Sequence, residues 1–167
     1  VTREGKTIKY GIEGSKIDIA NNQSITNLGK RIDNLPSIHY FSVKSTATGA
    51  GSNYDNDGAK KDGGIAIGKQ ASATGTSDIA IGTEAQATGG WGVAIGQAAK
   101  AKASTAVAMA YAAEAKGANS LAIGIQSEAK TNDSTAYGRG AKALGDVALA
   151  VGALTKAEGN HSSVFGY

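Results

Sequence analysis

Few side chains in this sequence carry reactive chemistry, and they are thinly spread. Asn53-x-Asp55-x-Asp57-Gly58 imitates the first half of a calcium loop, in which alternate oxygens converge and glycine permits the turn. Its twelfth position is Gly64 instead of the bidentate Glu, so the stretch reads as a hydrated turn. His39 and His161 lack metal-ligand spacing, the chain has no Cys, and it contains no nucleophile elbow, phosphate loop or Gly-Gly-x-Gly-x-Asp calcium roll. These residues predict no catalysis, no metal and no cofactor. What remains is recognition chemistry. Lys102, Lys116 and Lys130 recur at intervals of fourteen, with Glu114 and Glu128 beside them. They form either a solvated face whose charges neutralise locally or a weak site for a sulfated glycan or an acidic protein face. Trp91, flanked by Gly90 and Gly92, is either an exposed contact anchor or the filling of a groove between subunits. Tyr54 lies in the polar stretch 51–64, which is too long for a corner and is a candidate binding loop.

The elements that position these groups are unusual in composition. The 167 residues include 31 Ala and 24 Gly, with 5% aromatics and one Pro, so a thick sandwich or doubly wound core would lack filler. The net charge of +3 is mild and Lys and Glu alternate along the second half, which argues against nucleic acid. Without Cys there is no disulfide scaffold. The sequence shows no signal peptide and no 18-residue apolar stretch, so it is expected to make no membrane contact of its own, as a soluble protein or as a segment cut from a longer one.

An internal repeat of fourteen residues organises 65–167 without insertion. Ile65-Ala66-Ile67-Gly68 recurs as Ile79-Ala80-Ile81-Gly82, Val93-Ala94-Ile95-Gly96, Val107-Ala108-Met109-Ala110 and Leu121-Ala122-Ile123-Gly124, then in degraded form from Thr135, Leu149 and Ser163. Positions one to three and seven to ten each alternate with the period of a strand, and glycines recur at positions four and eleven, where the chain must turn sharply. Ala-rich residues 97–116 have helix propensity, but they keep the register of their neighbours, and one solenoid explains every copy. Stacked coils predict two thin parallel sheets with rungs about 4.8 Å apart. The bulky residues at positions one and three are expected to fill the interior opposite the small residues at seven and nine. Position two then points outward, so the column Ala66, Ala80, Ala94, Ala108, Ala122, Ala136 and Ala150 is expected to form the contact between copies of the chain.

The Ala-Ile-Gly-x-x-Ala-x-Ala-x-Gly pattern, seen in 79–82 through Ala85, Ala87 and Gly89, resembles the YadA-like head repeat of trimeric autotransporter adhesins over about 100 residues. The resemblance implies an all-β solenoid, a left-handed parallel β-roll assembled as a homotrimer on a Gram-negative surface and anchored in the outer membrane through a C-terminal region outside this sequence. It weakens at Thr135 and Ser163, and at Ala110, where a corner glycine is missing.

Ahead of the roll, 1–36 reads as a connector with short strands at 7–10 and 16–19, followed by a short helix. Ile25, Leu28, Ile32 and Leu35 have the spacing of a coiled-coil seam that three copies would cover, ended by Pro36. Residues 37–64 read as a degenerate first rung with an inserted polar loop. The resemblance implies a non-enzymatic adhesin head whose partners are extracellular-matrix proteins such as collagen, fibronectin and laminin, or host-cell receptors. The rival is a passive spacer in a longer surface fibre. Hexapeptide acyltransferases need a wider coil and a catalytic His, and ice-binding solenoids need flat Thr ladders; neither fits.

Overall fold

A computed structural model describes residues 2–4, 7–9, 27, 46, 48–49 and 51–167. The chain divides into two compact units, Val1–Ser42 and Val43–Tyr167. In the first, Thr2–Glu4 pairs antiparallel with Thr7–Lys9, with Thr2 opposite Lys9. Thr7–Lys9 falls within the strand expected at 7–10 and pairs with one the sequence did not suggest. The expected strand at 16–19 and the seam residues Ile25, Leu28, Ile32 and Leu35 lie outside the described residues.

The second unit is an all-β parallel solenoid. Eight three-residue strands, from Ile65–Ile67 to Ser163–Phe165 at steps of fourteen, make one parallel sheet, and seven two-residue strands, from Ser72–Ala73 to Lys156–Ala157, make the other. Register is exact between like positions: Ala80 pairs with Ala94, Ala94 with Ala108, and Ala101 with Ala115. Backbone hydrogen bonds between coils continue around the corners, as in Glu84 N–H to Lys69 O (2.9 Å) and Trp91 N–H to Thr76 O (2.8 Å). Most of the coil's polar backbone is thus satisfied by the coils on either side.

The interior corrects the expectation about position two. Ala80, Ala94, Ala108, Ala122, Ala136 and Ala150 are fully enclosed within a single chain, together with the alanines at positions seven and nine. Ala66, in the first coil, is partly buried and packs against this core. An interior row already enclosed by its own coil cannot be the surface that meets another subunit. Positions two, seven, nine and fourteen all face inward, and all but Asp78 carry Ala, Ser, Thr, Gly or, in the last coil, Val164. The physical reason is width: fourteen residues wound into two walls leave room for little more than a Cβ from each side. The bulky residues are therefore expelled. Ile79, Ile81, Val93, Ile95, Leu121 and Ile123 point outward and are partly exposed, and Ile65, Met109, Tyr137 and Phe165 on the same rows are exposed.

At both corners a Cβ on glycine would collide with the next coil, as on Gly124, 2.4 Å from Gly138 O, but only the first corner also needs glycine's conformation. At position four the backbone is left-handed, with φ of 131° at Gly124, for example, and Ala110 is forced to 108° there. At position eleven no left-handed conformation is needed; there a Cβ on Gly117 would lie 2.0 Å from the carbonyl carbon of Thr131 in the next coil. From Ser77 onward the second corner has a left-handed residue at position thirteen that is not glycine, as with Trp91 (φ 53°) and Asn119 (φ 55°), and in the Trp91 corner Gly90 is left-handed too (φ 86°).

The stretch 51–64 proves to be one coil length. Ala59 bridges Ala73, Lys60 N–H donates to Ala73 O (2.8 Å), and Ser77 N–H donates to Asp62 O (2.9 Å), which places its second half in register with the repeats. Its first half departs from that register and is held by Asn53, whose Nδ2 donates to Ala66 O (3.0 Å) and Gly68 O (3.3 Å) while its Oδ1 accepts from Gly58 N–H (2.9 Å). This coil covers an open sheet edge that would otherwise invite strand addition.

Candidate functional site

Three surfaces surround the interior: the outward apolar rows of the long-strand sheet, the charged face of the short-strand sheet, and the corners. The apolar rows run through all eight long strands in register. Sequence reasoning missed this face because it assigned the bulky residues to the core. A signal was available: positions two, seven and nine hold small residues almost without exception, whereas positions one and three accept Ser163, Thr135, Tyr137 and Phe165. A row that varies in size and polarity is not packed inside a narrow coil.

On the short-strand sheet, positions eight and ten point outward and their side chains interlock. Lys102 donates to Glu114, whose other oxygen is 3.0 Å from Lys116 Nζ; Lys116 reaches Glu128 at 2.7 Å, and Glu128 stands 4.0 Å from Lys142. Burial acts to raise the Glu114 carboxyl, but hydrogen bonds from Lys102 and Lys116, and their charges, prevail and hold it below the ordinary 4.5. Lys116 is held above its ordinary 10.5, chiefly by its hydrogen bond to Glu128, against the opposing effect of burial. Two of the three candidate lysines are therefore engaged along the stack. Lys130 is exposed and makes no ion pair among the described residues.

The remaining candidates stand apart from this face and from each other. Tyr54 is 64% exposed on the covering coil. The oxygens around it do not converge as a calcium loop requires, because Asn53 is committed to backbone groups, Asp55 is exposed, and Asp57 Oδ2 accepts from Gly51 N–H (3.2 Å). Trp91 is 63% exposed at the second corner of its coil. Beneath it lies a residue that sequence reasoning did not single out. Asp78 is fully buried; its Oδ2 accepts from Gly75 N–H (2.7 Å) and its Oδ1 from Gly92 N–H (2.8 Å), so one carboxylate fixes two successive corners. The available signal was an acidic residue at position fourteen, where later coils carry Gly, Ala or Ser.

Among the described residues, no group of three His, Cys, Asp or Glu side chains is placed to hold a metal ion, and no helix is long and apolar enough to cross a membrane. The arrangement offers extended faces built from repeated small contacts. The family model for the YadA head domain repeat matches residues 59–85, 73–90, 115–141 and 143–167, together just over half of the chain. No curated protein and no solved structure matches it.

Proposed function

We propose, from the premise that this chain belongs to the YadA head family, that it is the head of a bacterial surface adhesin and works as a homotrimer of left-handed rolls. The observation that carries this reading is the outward apolar face, whose position-three row is apolar in all eight coils and whose position-one row is interrupted only at Thr135 and Ser163. Apolar area left in water costs roughly 25 cal/mol per Å², and the rows extend along roughly 35 Å of stack at about 4.8 Å per rung. A partner that covers such a face must share its length and its period, and copies of the same chain do. Three rolls meeting on these rows would enclose them and turn the charged sheets to solvent.

Attachment then follows from repetition. Three identical outer faces present the same weak contact several times, and avidity supplies strength without a deep pocket. The ligands that fit this family are matrix proteins such as collagen, fibronectin and laminin, or host-cell receptors. Anchoring falls to an outer-membrane region outside this sequence, and no step of the mechanism calls for catalysis.

The test uses protein 1–167 whose native mass has been verified as that of a trimer. Saturable binding to matrix-coated or epithelial surfaces is expected. A stable folded monomer would remove the trimer, and a verified trimer that does not bind would favour the passive spacer.

A further inference from the structure

We infer that the corner centred on Trp91 is a binding site for neutral, β-linked pyranose oligosaccharides. This deepens the attachment reading by naming a ligand class for one part of the outer surface. The corner is built to display its aromatic ring. Trp91 occupies a turn whose other members are Gly89, Gly90 and Gly92, and its backbone is tied on both sides: its N–H donates to Thr76 O (2.8 Å), and Gly90 O accepts from Thr105 N–H (2.9 Å). The Asp78 carboxylate clamps the turn from inside. Room for that carboxylate exists because position fourteen of the next coil is Gly92, where a Cβ would lie 3.2 Å from Asp78 Oδ1. Burying a carboxylate is unfavourable unless its oxygens are hydrogen-bonded, as both are here, and the result is a rigid support under an exposed indole.

The groups around the ring select the ligand. Thr76 and Ser77 stand on the preceding coil and Ser104 and Thr105 on the following one. Beyond them the Thr105 hydroxyl donates to Asn119 Oδ1, and Asn119 Nδ2 donates to Asp133 Oδ1 (3.0 Å). This file of hydroxyl, carboxamide and carboxylate groups is spaced by the rungs and fixed by its own bonds, and it keeps lone pairs and an N–H for a ligand. A pyranose matches it: its C–H face stacks on an aromatic ring while its edge hydroxyls donate to and accept from such groups. An anionic polymer would require cations, and the ionised side chain of this file is the carboxylate of Asp133. An apolar peptide would require an apolar rim. The exposed apolar residues Tyr111, Ile125 and Leu154 lie at the opposite corner, and on the Trp91 side the exposed Val147 stands four coils away, so the rim next to the ring is polar.

Trp91 is the one tryptophan of the chain, so its fluorescence reports on the site alone. The folded head, with its native mass verified, is titrated with lactose and with chitotriose. A saturable change in a water-exposed emission is expected, at about millimolar affinity per site. By calorimetry, Trp91→Ala should abolish binding and Trp91→Tyr should retain it. Thr105→Val and Asn119→Ala should each weaken it by roughly two- to tenfold, the range of a single hydrogen bond, with melting temperature and native mass unchanged. No saturable response to either sugar, or unchanged binding by Trp91→Ala, overturns the site. An emission already shifted to the blue in the free trimer would place the ring in a subunit groove and overturn it as well. The same preparations are assayed on matrix-coated surfaces. Heads that bind matrix but ignore both sugars would sink the glycan site and leave attachment standing, whereas heads that bind the sugars but no matrix protein would do the reverse.

Discussion

Replacing Ala108 by Leu tests the central placement in this fold. Ala108 is fully enclosed within one chain, and so are Ala106, Ala113 and Ala115 around the same stretch of coil. Three added carbon atoms meet no void there. Overpacking a filled core costs about 1–3 kcal/mol. A two-walled coil has no second layer to absorb displaced atoms, so the expected loss lies at the top of that range, about 3 kcal/mol. For a unit of this size, each kcal/mol moves the melting temperature by about 2–4 °C, so a fall of roughly 10 °C is expected. Circular dichroism melting, with native mass by light scattering at two protein concentrations, measures both quantities. Leu121→Ser and Ile123→Ser on the outward rows provide the contrast: they should weaken assembly and make melting depend on concentration. If Ala108→Leu melted like the wild type and lost only its assembled mass, the alanine column would belong to the subunit contact and the present placement would be refuted.

Ala110→Gly should stabilise the roll by about 1 kcal/mol, because φ of 108° strains an alanine by roughly 1–3 kcal/mol while the added glycine entropy costs about 0.4–1 kcal/mol; an unchanged or lower urea midpoint counts against this. Glu114→Gln should cost no more than about 1 kcal/mol at neutral pH, since the ladder is part-exposed. Because the folded Glu114 pKa lies below 4.5, its contribution is present above that pH and lost as pH falls through the folded value, so the gap between wild type and variant should close on acidification; a widening gap is the refuting result. Lys116 acts with the opposite sign: its contribution is present below 10.5 and lost as pH rises through its raised folded value. Asn53→Ala removes bonds to Ala66 O, Gly68 O and Gly58 N–H, and should cost about 1–3 kcal/mol confined to the first coils. Hydrogen exchange should accelerate around 58–73 and remain slow in the later coils, as nearest-neighbour stacking requires, and uniform acceleration would contradict it.

The fourteen-residue period, the parallel stacking and the two short strands per coil were all legible in residues 65–167. Each depends only on recurrence and local alternation, which a sequence displays directly. The direction in which each row points was not legible. Alternation fixes that Ala108 and Val107 face opposite ways, but it cannot say which way is inward, because that depends on the distance between the walls. The usual rule that large apolar residues fill the core fails where the walls stand close enough for alanine alone to fill it. The role of 51–64 was hidden for a related reason: it keeps the length of a coil but replaces half of its pairing with the side chain of Asn53, so no residue motif marks it. The clamp at Asp78 likewise depends on two backbone N–H groups, fourteen residues apart at Gly92 and three at Gly75, that only the stacking brings to one carboxylate. Sequence recurrence by itself determined the coil and its period; the width of the tertiary coil decided which residues it buries and which it offers to a partner.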